Sequence, residues 1–196
     1  MGAVKLVAPP ASASGSQQSA ARVERGGLGR KYVVVAAVLA AFLAVLASVL
    51  QQEPAASQQT QQALIEPIIG LAALTGIVWA LMVLFRNVAF IRGKVSERYF
   101  QTYTVDAPSE WVERPTRAYM NLLELPVLFY VVCLLMLVTQ RFDEVQVSLA
   151  WLFVATRTAH AFIYIAFNYI PLRFVSYLTG VITLGVLWTR FAAQAF

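Results

Sequence analysis

Residues 147–170 read VSLAWLFVATRTAHAFIYIAFNYI, and the reading of this stretch decides the fold. It carries no acidic residue and no strand-like alternation. As a helix it would be about 36 Å long, more than the ~30 Å of a hydrocarbon core. Its polar residues are not scattered. Arg157, His160, Tyr164 and Asn168 recur at i, i+3, i+7 and i+11, which is one face of a helix. The stretch reads as a membrane-crossing helix with a polar stripe.

Working outward, the same kind of apolar run recurs along the whole chain. Of 196 residues, 59% are apolar and only 13% charged, with a mean hydropathy of +0.66. A soluble domain carries about 45–50% apolar and about 25% charged residues, so a water-soluble globular protein is excluded. Runs at 32–50, 63–85, 118–139, 147–170 and 172–188 predict five transmembrane helices, an all-α integral membrane bundle. Glu66-Pro67 falls in the first turn of the second run, where proline is tolerated. Residues 1–31, rich in Ala, Ser, Gly, Gln and Pro, read as a disordered basic tail. The run 32–50 is too long for the core of a cleaved signal peptide and reads as an additional anchor. A membrane domain covers 63–196, and Pro171 is expected to end the fourth helix. The single Cys133 and single His160 leave no multi-ligand metal site, and no metal is expected. No compact basic domain exists to bind nucleic acid.

Lys and Arg set the orientation. Eleven lie in the tail, in the 86–116 connection and at Arg173, against Arg141 and Arg190 on the other side. This places the N-terminus in the cytoplasm and the C-terminus outside. Trp111, Trp151 and Trp188 fall near the two boundaries as interfacial aromatics.

The third run carries a second stripe, Arg117, Asn121 and Glu124 at i, i+4 and i+7. An ionised side chain at mid-bilayer costs about 2.5–3.5 kcal/mol, so the stripes need a reason. Glu124 lies roughly 10–13 Å into the membrane, with Tyr164 roughly 9 Å, His160 roughly 15 Å and Arg157 roughly 20 Å deep in the same leaflet. A polar pocket opening to the cytoplasm, in which Glu124 meets Arg157, satisfies both stripes. A purely structural buried pair is the alternative.

RAYMNLLELPVLF at Arg117–Phe129 resembles the second-helix signature of the MAPEG family, the membrane-associated proteins of eicosanoid and glutathione metabolism. RTAHAFIYIAFNYIPLR at Arg157–Arg173 is similar to the family's other hallmark, Arg-x-x-His-x-x-x-Tyr followed by a Pro-x-Arg turn. The resemblance covers roughly residues 63–190 and is nearest the bacterial branch. It implies a four-helix core that assembles as a homotrimer, with helix 32–50 added at the N-terminus. It implies glutathione bound between subunits at the cytoplasmic side and hydrophobic small-molecule substrates arriving from the lipid bilayer. Arg117, Asn121 and Glu124 match positions that hold the charged ends of the tripeptide, and Arg157, His160 and Tyr164 match the partner stripe. Arg173 matches the arginine that stabilises the ionised thiol. Tyr119, Leu125, Phe174 and the Glu124–Pro126 spacing depart from the eicosanoid enzymes, so their substrates are not implied. The function implied is a glutathione-dependent transferase or peroxidase. The alternative is a non-catalytic trimeric or lipid-binding scaffold, which the family also contains.

Overall fold

The structure, a computed structural model, describes residues 33–51, 61–95, 98–99 and 108–195. The expected tail 1–31 lies outside the described residues, as does most of the 51–62 connection. Helix α1 spans Val33–Leu50 and α2 spans Gln61–Ile91. Helices α3 (Glu110–Leu122) and α4 (Leu125–Thr139) follow. The last two are α5 (Glu144–Ala166) and α6 (Ile170–Ala195). With α3 and α4 taken as one broken crossing, the described residues form five helical segments long and apolar enough to span a membrane. The chain is a membrane helical bundle.

The bounds differ from the sequence reading at several helix ends, and four of these differences have a local reason. Helix α2 starts at Gln61, which puts Pro67 inside the helix, past its first turn. Helix α3 starts at Glu110, within the expected 86–116 connection. Its buried face of Val112, Pro115, Ala118 and Leu122 keeps helical spacing although the segment is polar overall. The third crossing is broken at Leu123 and Glu124. Pro126 has no N–H to offer the Leu122 carbonyl, and its ring would clash there. The chain answers with i→i−3 bonds, Leu123 N–H to Met120 O at 3.0 Å and Val127 N–H to Glu124 O at 3.2 Å. Helix α5 ends at Ala166, not at Pro171. Asn168 takes a left-handed conformation (φ 49°) and its N–H bonds the Ile163 carbonyl at 2.8 Å, a common way to stop a helix. Pro171 instead sits in the first turn of α6, where its missing N–H costs nothing.

The core lies between α2, α4, α5 and α6, with Phe129 stacked on Phe153 at 4.8 Å between centroids. Cys133 is fully buried in it. Phe42 and Leu46 of α1 join the same core. In lipid, apolar burial alone gives little drive, so close packing and polar contacts hold the helices together. One such contact set closes the α4–α5 hairpin over the end of α6. Asp143 and Gln146 form a reciprocal capping box at 3.0 and 2.8 Å. Arg190 reaches Asp143 at 2.8 Å, and Arg141 donates to the carbonyls of Gln194 and Ala195. Both arginines expected on this side are thereby tied to the hairpin. At the opposite end, Tyr99 donates to Glu113, which also pairs with Arg117 at 3.7 Å. Burial first, then that bond to the carboxylate, push the Tyr99 phenol up to about 12.

Candidate functional site

The α5 stripe faces α6, and these two helices pack against each other more extensively than any other pair of described helices. Arg157, His160 and Tyr164 are 1%, 6% and 5% exposed. The facing residues of α6 are Arg173, Ser176, Tyr177 and Gly180, spaced by three and four.

Arg157 is the deepest. Its guanidinium lies between the rings of Phe153 and Tyr177, 5.4 and 5.3 Å from their centroids. Nη2 donates to the carbonyls of Ser176 at 3.2 Å and Tyr177 at 2.9 Å, while Nε and Nη1 have no partner. A Cβ on Gly180 would stand 2.0 Å from Nη2, so only glycine lets the guanidinium lie on the helix. Glu124 does not meet it. Glu124 stands at the N-cap position of α4, at the break, where its side chain makes no capping bond and is exposed. The expected pairing of Glu124 with Arg157 is therefore absent within one chain. Gly180 draws the arginine inward, and the Pro126 break turns the glutamate outward.

Nearer the helix ends, His160 Nδ1 lies 3.1 Å from both the Arg173 carbonyl and Ser176 Oγ. Ser176 itself donates to that carbonyl. A carbonyl only accepts, so the proton is assigned to Nδ1, which leaves Nε2 as an acceptor. Nε2 is buried without a partner. Arg173 stacks on Tyr164 with its guanidinium carbon 3.5 Å from the ring centroid. Its Nη1 donates to Asn168 Oδ1 at 2.6 Å, and its buried Nε has no partner.

A cleft of about 240 Å³ opens here, lined by Asn121, His160, Ile170, Arg173, Phe174 and Tyr177. It brings together members of both stripes. Asn121 comes from α3, held by a 2.8 Å bond to the Arg117 carbonyl. His160 comes from α5 and Arg173 from α6, with Tyr164 beneath Arg173. Arg117 and Glu124 are exposed and do not line it. Arg157 touches the cleft only through Tyr177, which packs on both Arg157 and His160.

Tyr177, Ser176 and Gly180 were not singled out from the sequence. Their signal was present, since they lie four, three and seven residues after Arg173, but a lone tyrosine or glycine in an apolar helix reads as packing. The lining fits one part of a thiol tripeptide. It offers a cation with an unused N–H, an unpartnered imidazole nitrogen and an amide.

No curated protein and no solved structure matches the chain significantly. The MAPEG family model matches residues 67–193, which takes in α2 from Pro67 onward, both stripes and nearly all of α6, and leaves α1 outside. On that match, resting on a bundle with both hallmark segments on the expected helices, the chain belongs to the MAPEG family.

Proposed function

We propose that the protein is a membrane-bound glutathione-dependent transferase or peroxidase acting on lipophilic electrophiles. The observation that carries this reading is the half-buried Arg173 in a cleft at the membrane boundary. Among the described residues it has no carboxylate partner, and its Nε is unused. Such a cation favours an ionised thiol beside it. Glutathione supplies the sulfur nucleophile when bound. A guanidinium beside the thiol acts by electrostatics and not by taking the proton, and that is the role of Arg173. Asn121 and His160 orient the ligand from the other walls. Arg117 and Glu124 hold the charged ends of the tripeptide, and Tyr164 keeps the Arg173 plane fixed from below. Arg157 supports the same wall through Tyr177.

Glu124 also supports a homotrimer. A carboxylate exposed on the flank of a membrane bundle costs about 2.5–3.5 kcal/mol near mid-bilayer, and a neighbouring copy that brings the glutathione site against it removes that cost. Arg117 is exposed as well.

The test is a glutathione titration of the detergent-purified protein with its assembly monitored. Arg117→Ala or Glu124→Ala should abolish binding with the assembly intact. Arg173→Ala should keep affinity within about threefold yet lose roughly a hundredfold in conjugation rate, because the lost stabilisation is electrostatic. The second reading is a non-catalytic scaffold, favoured by Arg157, whose bonds go to helix carbonyls and serve packing. A stable assembly that ignores glutathione, and dissociates on Glu124→Ala, supports that reading instead.

A further inference from the structure

Arg173 is held by more than the ring beneath it. Nη1 donates to Asn168 Oδ1 at 2.6 Å, and Asn168 Nδ2 donates to Glu110 Oε1 at the start of α3. Glu110 pairs in turn with Arg114 at 3.1 Å, and Arg114 reaches the Ala166 carbonyl at 3.4 Å, back at the end of α5. The chain of bonds thus links three helix ends and finishes on the cleft cation.

Its chemistry runs in one direction. A guanidinium can only donate and a carboxylate can only accept, so the amide between them has a single workable orientation. Oδ1 must face Arg173, and the NH₂ must face Glu110. Without Glu110 the amide could flip and present its own N–H groups to the guanidinium. The backbone makes a second demand at the same position. At φ 49° glycine and asparagine are the favoured residues, and of these only asparagine adds the relay. Aspartate would accept from Arg173 but repel Glu110.

We infer that Asn168, oriented by Glu110, is a positioning residue that fixes the guanidinium of Arg173 toward the cleft. The inference rests on the reading of Arg173 as the partner of the ionised thiol. With one edge anchored on Asn168 and one face on Tyr164, the remaining donors are aimed without any reorganisation when a ligand enters. Aiming of this kind shows in the reacting state more than in binding, because displacements of about 1 Å can cost on the order of a hundredfold in rate.

The experiment uses the full chain in detergent, saturated with glutathione, and follows the ultraviolet absorbance of the ionised thiol against pH. Asn168→Gly keeps the left-handed backbone and removes the amide. It should cut the ionised fraction at neutral pH by roughly threefold or more, a rise of about half a unit in the thiol pKa, with glutathione affinity within about threefold. Glu110→Ala should act in the same direction but more weakly, since its side chain is 62% exposed. The double variant should be no worse than Asn168→Gly alone, as for members of one chain of bonds. Arg173→Ala is the control. If it removes the ionised thiol while Asn168→Gly and Glu110→Ala leave it unchanged, the relay is overturned and Asn168 is a turn residue only. If Arg173→Ala itself changes nothing, the reading of Arg173 falls and the relay with it. Should Asn168→Gly fail to assemble, Glu110→Ala decides alone.

Discussion

Arg157 illustrates how a charge is kept inside a membrane bundle with no counter-charge beside it among the described residues. Its guanidinium lies over Phe153 of its own helix and Tyr177 of α6 and bonds two carbonyls of α6, a helix made accessible by one missing side chain. Gly180→Ala would place a methyl group 2.0 Å from Nη2. The guanidinium sits at the end of a flexible chain, but it has nowhere equivalent to go, being 1% exposed. The variant should lower stability by about 1–3 kcal/mol, the usual cost of overpacking, read as a lower melting temperature in detergent. In an Arg157→Met background the same substitution should be nearly silent, because the colliding group is gone. Equal effects in the two backgrounds would show that Gly180 serves the helix and not the arginine. The stripe containing Arg157, His160 and Tyr164 was legible because polar residues stand out in an apolar run. Tyr177 and Gly180, its partners on α6, do not stand out. Nothing in a single helix tells which tyrosine or glycine faces an arginine on the next.

Helix ends show the same division between what a chain displays locally and what it owes to contact. Five crossings follow from hydropathy, whereas the break at Leu123 and Glu124 does not, since a hydropathy window averages over it. Pro126 marks that break and Asn168 marks the end of α5, yet each also permits an uninterrupted helix on paper. Tertiary contact chooses. The Asp143 hairpin is the clearest case, because its cap is local and its clamp on α6 is not. Burial alone would raise the Asp143 carboxyl, but the bond from Arg190, the Gln146 N–H and the Arg190 charge outweigh it and hold the group below the usual carboxylate range. A carboxyl depressed in the folded state stabilises fully above its ordinary value of about 3.9 and loses that contribution as pH falls through the lower, folded value. Asp143→Asn keeps a capping oxygen and removes the charge. It should therefore melt below the unsubstituted protein at pH 7, with the gap closing toward pH 3 as the native carboxyl protonates. A gap that stays constant with pH would assign the loss to packing or to the cap instead.

The bundle as a whole is asymmetric in charge from end to end, and that asymmetry coincides with the site. The cleft opens where the α5–α6 turn meets the start of α3, joined by the bond from Asn168 to Glu110 and by Arg114 at the Ala166 carbonyl. Arg114 and Arg173 sit at this end, and the connection from α2 to α3 that contributes Arg92 and Lys94 leads into it. The opposite end has Arg141 and Arg190, both tied down within the hairpin. The rule that Lys and Arg are retained on the cytoplasmic side predicts that the cleft faces the cytosol and a water-soluble thiol there. Five crossings would put the two termini on opposite sides. A reporter fused after Phe196 should be extracytoplasmic, and a labelling probe at Lys94 should react only from the cytoplasm. The decisive comparison is a probe placed before α1. If it and the Phe196 reporter map to one side while Lys94 stays cytoplasmic, α1 does not cross, and the four crossings from α2 onward are the membrane domain by themselves. If Lys94 maps outside, the charge argument fails, and with it the supply of cytosolic thiol to the cleft.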